Sequence, residues 1–156
     1  RQVVDIPRQK KTGGLAFTGI HILSPEILSY IHGSRYSDII DCYKKAIDDG
    51  ETIGAYVSED HYWRDIGNPE SYIAANREFL QILKQPFIIG PGSRIAASAR
   101  FTEWAVVGDE AVLEGEVDIE RSILWDKVTV TKGVNIIDSV VTSSKTVDRN
   151  LVNEIF

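Results

Sequence analysis

The chain has 156 residues, 43% of them apolar and 26% charged, with a formal net charge of −6. Those proportions exclude a disordered tail and leave enough apolar side chains for the core of one or two domains. The acidity argues against nucleic acid or an anionic membrane surface as partner, since both select basic patches; a phosphate ligand would need a cation or local amides.

The single cysteine, Cys42, leaves no internal disulfide, and the sequence has neither an apolar run of bilayer length nor a signal-like start. A cytoplasmic setting without membrane attachment is therefore the expectation. No Met occurs, and the chain opens Arg-Gln-Val-Val-Asp-Ile, which reads as a strand already under way. The expectation is part of a longer polypeptide.

Up to about Pro86 the signals mix helix and strand. Leu15 to Leu23 alternates as a strand, and Pro25 stands at the first position of a helix over Glu26 to Ile31. Ser37-Asp38 can cap a helix with Ile39, Ile40, Tyr43, Ala46 and Ile47 on one face, stopped by Asp48-Asp49-Gly50. Thr52 to Val57 reads as a strand and Tyr62 to Ile66 as a short one. Asn68 is then an N-cap, Pro69 the first helical residue and Glu70 an acid in the first turn, with Tyr72, Ile73, Asn76, Phe79, Leu80 and Leu83 at helical spacing.

After Gln85-Pro86 the period becomes six. Ile89, Ile95, Phe101, Val107, Leu113 and Ile119 recur at every sixth position, and two places earlier stand Ala99, Ala105, Ala111, Val117 and Ile123. A one-residue slip is expected after Trp125, with the series resuming as Val128/Val130, Val134/Ile136 and Val140/Thr142. A helix cannot hold that period, whereas short strands wound as a coil can, with glycines 90, 92, 108, 115 and 133 at turns. Phe87 to about Ser143 thus reads as a parallel β-helix of roughly three coils; a run of antiparallel hairpins is the competing reading. The helix before Pro86 would cover one end. The tail from Thr146 to Phe156 would cover the other or pack on a neighbour.

The three histidines, His21, His32 and His61, all precede the coil. A six-residue coil working as an acyltransferase relies on a His base, which this coil lacks, so His21 and His61 read as strand or loop residues. The remaining candidate is Asp65, at an expected strand end before a helix start, where open α/β sheets present ligands. Two roles compete there. Asp65 either caps or pairs locally, with Arg64 or turn amides, or helps hold a hard divalent cation such as Mg²⁺ through its oxygens.

The runs FTGIHILSPEIL (17–28), SDIIDCYKKAIDDGETIGAYV (37–57), YWRDIGNPESYIAAN (62–76) and SILWDKVTV (122–130), with the six-residue coil, resemble the sugar-1-phosphate nucleotidyltransferases, most of all the mannose-1-phosphate guanylyltransferase branch. The resemblance implies an α/β segment, residues 1–86, forming the C-terminal part of a nucleotidyltransferase catalytic domain, followed over residues 87–156 by a left-handed parallel β-helix with a tail. It implies transfer of a nucleotidyl group from a nucleoside triphosphate to a sugar 1-phosphate, with release of pyrophosphate. Mg²⁺ would be shared between two aspartates and the phosphates. Trp63, Asp65, Gly67 and Pro69 match the family pattern W-x-D-x-G-x-P, in which the Asp is a metal ligand. Phe17 to Ile20 matches the strand lining the sugar pocket, with Gly19 allowing close backbone approach and Thr18 offering a hydroxyl; an ordinary strand residue is the alternative for Thr18.

Three departures limit what carries over. The Gly-x-Gly-Thr-Arg loop that cradles the triphosphate is absent, as is the partner aspartate, and IPRQKKT stands where many members have Glu-Lys-Pro, leaving Lys10 or Lys11 as a phosphate contact or a solvated turn. No catalytic residue beyond the metal ligand is therefore expected. The expectation is a C-terminal piece of such an enzyme, inactive alone and joined into a homo-oligomer through its coil; a non-catalytic regulatory or oligomerisation relative is the alternative.

Overall fold

The computed structural model describes residues 2, 3, 6, 15–31, 33 and 36–156. Lys10, Lys11 and His32 lie outside them. The chain divides into two compact units, residues 1–63 and 64–156.

In the first unit, Pro25–Tyr30 forms a short 3-10 helix and α1 spans Ile39–Asp48. Asp38, rather than Ser37, caps α1: its carboxylate accepts the Ile40 N–H at 2.9 Å. Cys42, Tyr43 and Ala46 are buried, and the helix stops at Asp49 before Gly50, whose φ of +91° suits glycine. The three strands expected here do not form among the described residues. Leu15 to Leu23 runs irregularly with Ile22 fully exposed, Thr52 to Val57 contributes only the antiparallel bridge Gln2–Gly54, and Tyr62 to Ile66 is irregular. Alternation supplies strand propensity, but a strand also needs a continuous ladder for its N–H and C=O groups, and among the described residues the only ladder contacts here are the Gln2–Gly54 bridge and the Val3 N–H donating to the Ile53 carbonyl at 2.8 Å.

The second unit begins with α2 (Pro69–Leu83) and continues as β1 (Phe87–Ile89), β2 (Arg94–Ile95), β3 (Arg100–Val107), β4 (Val112–Leu113), β5 (Asp118–Leu124), β6 (Thr129–Val130), β7 (Asn135–Ile137), β8 (Val140–Val141), β9 (Thr146–Val147) and β10 (Leu151–Val152). All pairings between these strands are parallel, in the orders β1-β3-β5-β7-β10, with β8 on β5, and β2-β4-β6-β9. This is a parallel β-helix of about 4 turns. Each strand stands on its counterpart one coil later: Arg94 on Val112, Val112 on Thr129, Thr129 on Thr146.

The inner columns are apolar. Val107, Leu124 and Val141 form one, Leu113, Val130 and Val147 a second, and Ile119, Ile136 and Leu151 a third, all essentially inaccessible. Burying each Leu or Ile of this kind stabilises by about 1.5–3 kcal/mol. The coil therefore extends past Ser143. The tail continues it through β9, β10 and the bridge Val140–Ile155, with Thr142 N–H donating to the Phe156 carbonyl at 2.8 Å.

The register slip also lies elsewhere than expected. Thr102 pairs with Glu120 and Ala105 with Ser122, so two residues of β3 oppose the single Arg121 of β5. Leu124, 1% exposed, points inward and Trp125, 41% exposed, points out. Likewise Val141 fills the interior, whereas Val140 is buried beneath α2. That helix does not cover an end of the coil. Its Tyr72, Ile73 and Leu80 lie on an outer wall made by Ile88, Trp104, Val106, Ile123 and Val140, because alternate residues of those strands point outward and are themselves apolar.

Corners explain the glycines and some charges. At Gly108 an added Cβ would stand 2.6 Å from the Asp126 nitrogen and 2.7 Å from the Trp125 carbonyl carbon, so the coils meet there only without a side chain. Glu103, Arg121 and Asp138, by contrast, adopt positive φ as L-residues, and their charges alternate up the corner. Arg121 donates to Asp138 at 2.7 and 2.8 Å, to Glu103 at 2.6 Å, and to Glu120.

Gly108→Ala is expected to lower stability by about 1–3 kcal/mol through overpacking, against about 1 kcal/mol for Gly133→Ala, where φ is +79° but the space is open; urea unfolding of both variants checks the order. Hydrogen bonds from Arg100 and Arg121 hold the Asp118 and Asp138 carboxyls below their usual value of 3.8. Their contribution is complete above that unfolded value and disappears as pH falls through the lower folded one. Urea midpoints should drop as pH falls below that value, and less steeply in Arg121→Gln.

Candidate functional site

The stretch from His61 to Gly67 leads into α2 without regular structure, and its geometry is set by side chains. Asp65 Oδ1 accepts the Gly67 N–H at 3.0 Å, closing a tight turn. Asn68 Oδ1 then accepts the Ser71 N–H at 2.8 Å, while the Asn68 N–H donates to Ser71 Oγ at 3.3 Å. This reciprocal capping box, with Pro69 as the first helical residue, fixes where α2 starts.

Asp65 is exposed in front of that start. It is not neutralised by its neighbour: Arg64 Nε donates to Glu78 Oε2 at 3.0 Å, and Arg64 Nη2 is paired with Glu78 Oε1. One carboxylate oxygen serves the turn. The other accepts no hydrogen bond among the described residues. Both roles weighed for Asp65 thus retain an oxygen atom.

An exposed carboxylate with a spare oxygen fits a hard cation as one ligand. Among the described residues no group of three or more His, Cys, Asp or Glu is arranged to hold a metal, so the residues present do not form a complete cage. Mg²⁺ commonly takes only one or two protein carboxylates and completes its shell with water and substrate phosphates. Asp65 fits that mode.

Thr18 and Gly19 belong to the first unit, and both are exposed. Gly19 has φ of +81° and open space where a Cβ would stand, so its conformation is what selects glycine. The neighbouring His21 is turned to α1: its Nδ1 lies 2.6 Å from the Tyr43 hydroxyl, and its ring meets Phe17 and Tyr43 edge to face. Burial pushes the Tyr43 phenol up from its ordinary value.

The reciprocal half of the capping box was missed in the sequence. An Asn followed three places later by Ser was the available signal, since Ser71 can return the bond that Asn68 gives.

A family model described as Nucleotidyl transferase matches residues 1–82, more than half of the sequence. The chain belongs to the nucleotidyl transferase family. The family match ends one residue before α2 does. Relatives of this nucleotidyl transferase chain include glucose-1-phosphate adenylyltransferases of Bacillus cereus (strain Q1), 32% identical over 120 residues, and of Bacillus thuringiensis (strain Al Hakam) and Bacillus anthracis, each 31% identical. Each likeness covers 69% of this chain, which is more than residues 1–82 and so reaches into the β-helix. It covers 31% of each relative's length.

Asn68→Ala, which removes the cap, is expected to cost about 1 kcal/mol. Asp65→Asn keeps an oxygen for the Gly67 N–H and should stay within about 0.5 kcal/mol of the parent. Urea unfolding followed by circular dichroism distinguishes the helix-building residue from the one left available for a ligand.

Proposed function

We propose that this chain is the C-terminal part of a sugar-1-phosphate nucleotidyltransferase, with residues 1–86 completing its catalytic domain. The reaction joins a nucleoside triphosphate to a sugar 1-phosphate: an oxygen of the sugar phosphate attacks the α-phosphorus, the bond from that phosphorus to the β-phosphate bridge breaks, and pyrophosphate leaves. The observation that carries this reading is Asp65. In a chain of this family it fills the acidic position of Trp63-x-Asp65-x-Gly67-x-Pro69, held by a turn bond yet exposed and, among the described residues, unpaired with any cation.

Each residue has a defined task. Asp65 offers its spare oxygen as one ligand to Mg²⁺, which would supply charge neutralisation for the phosphates. The Gly67 N–H and the Asn68–Ser71 box keep that carboxylate at the mouth of α2. Gly19 leaves the backbone bare for close approach of the sugar, and Thr18 offers it a hydroxyl. The names of the Bacillus relatives put glucose 1-phosphate and an adenine nucleotide ahead of the mannose and guanine pair as substrates to try first. A cytoplasmic homo-oligomer joined through the coil completes the proposal.

The sequence holds neither a Gly-x-Gly-Thr-Arg loop nor a matched partner aspartate, so the 156-residue chain alone should release no pyrophosphate above background. In a longer polypeptide that includes it, pyrophosphate release is expected with hexose 1-phosphates and should fall by about 10²-fold or more in Asp65→Asn. Full activity in that variant would remove the metal role. No activity in the longer parent would leave the scaffold reading, a regulatory relative, in its place.

A further inference from the structure

Residues 64–70 carry the candidate ligand, and all of them but Arg64 are exposed. The apolar Ile66 is turned out, 57% exposed, while the charged Arg64 is turned in, its side chain 33% exposed. Burial of Ile66 therefore does not hold this segment down; a charged side chain does. Arg64 Nε donates to Glu78 Oε2 at 3.0 Å and Nη2 pairs with Oε1, so both prongs of the guanidinium meet both oxygens of one carboxylate. Such two-pronged pairing fixes direction as well as distance, which a lysine ammonium does not.

The place of Glu78 gives the pair its consequence. Glu78 stands nine residues after Pro69, about 14 Å along the axis of α2. Arg64, five residues before Pro69, reaches it, so the segment runs back beside the helix instead of leading away from its first turn. At about 100° per residue, Glu78 lies on the side of α2 opposite Tyr72, Ile73 and Leu80, which pack on the coil. The helix is thus gripped from both sides, by the wall on one and by Arg64 on the other. Asp65 is the next residue. Its bond to the Gly67 N–H spans two positions and orients the carboxylate within the turn, but leaves open where the turn stands against α2, and the capping box begins only at Asn68.

We infer that Arg64 is a positioning residue for Asp65, acting through Glu78: the two-pronged pair holds the Asp65 carboxylate where its spare oxygen can meet a divalent cation. The inference rests on the metal role proposed for Asp65 and adds to it the residues that aim that oxygen. In this role Arg64 touches neither cation nor substrate, and Glu78, not a phosphate, is its partner. Residues that orient a metal ligand are commonly worth about 10–100-fold in metal affinity or activity.

Nuclear magnetic resonance of the ¹⁵N-labelled 156-residue chain with substoichiometric Mn²⁺, a paramagnetic stand-in for Mg²⁺, reads the site without turnover. The Gly67 amide signal is expected to broaden in the unsubstituted chain and to keep its width in Asp65→Asn. Arg64→Gln and Glu78→Gln, with α2 verified by circular dichroism, should each weaken the Mn²⁺ effect about tenfold. Arg64→Lys, which keeps the charge and loses the fork, should not restore it. The double variant should be no worse than either single one, because the two side chains act as a unit. In the longer polypeptide the same substitutions should lower kcat and leave the KM for the sugar phosphate unchanged. Broadening lost in Asp65→Asn but kept in the Arg64 and Glu78 variants overturns this inference and leaves the metal role standing. Additive losses in the double variant, or a raised KM with kcat unchanged, overturn it as well. No broadening at Gly67 in the unsubstituted chain, or broadening that survives Asp65→Asn, overturns it together with the metal role.

Discussion

Parallel stacking of one coil on the next is the constraint from which the rest of the second unit follows. A parallel ladder pairs each strand with the residue in the same place one coil later, so whatever faces inward at one level must be matched at every level. Val107, Leu124 and Val141 satisfy this on one wall, and Leu113, Val130 and Val147 on another. A polar residue at any of these places would sit in a dry column with no partner above or below.

The same constraint explains the polar residues that are buried. Where Arg121 alone does the work of two residues, the backbone ladder is interrupted, and serines restore it. Ser122 Oγ donates to the Glu120 carbonyl and accepts the Ser139 N–H, and Ser139 Oγ in turn accepts the Glu154 N–H. The corner beside them is held by charge: a guanidinium between carboxylates of the coils before and after it. That arrangement offsets the unfavourable left-handed conformation of the three L-residues there.

The helix α2 connects the stacking of the coil with the candidate site. One side of it lies on the outer wall through Tyr72, Ile73 and Leu80, and Trp125 donates its indole N–H to the Tyr72 hydroxyl at 3.0 Å. A helix anchored in this way presents a fixed first turn, and the capping box of Asn68 and Ser71 sets where that turn begins. Asp65 inherits its position from these bonds. The family pattern, which in sequence is only a spacing of Trp, Asp, Gly and Pro, thereby acquires a physical meaning. Gly67 supplies the N–H that orients the carboxylate, and the space above Gly67 is occupied by that carboxylate, 3.2 Å from where a Cβ would stand.

Local information was readable without a structure. Helices α1 and α2 follow from caps, breakers and periodicity within a few residues, and the six-residue repeat identifies the coil because an inner column must recur at the same interval. Of the two readings the sequence allowed for Asp65, the local bond to a turn amide is present, to the Gly67 N–H, and the metal role rests on the oxygen left over and is a proposal. Among the described residues, the strands expected in residues 15–66 are reduced to the single bridge Gln2–Gly54, since a strand needs a ladder beside it and alternation says nothing about whether one is present. The slip at Arg121, the outward turn of Trp125 and the last coil through Leu151 were decided by pairing between residues far apart in the chain. The packing of α2 along a wall rather than over an end was settled in the same way. Sequence by itself determined which residues can be helix, turn or column, through interactions within a few positions; tertiary structure alone decided which columns align and what lies against them, because those contacts join residues that no local spacing relates.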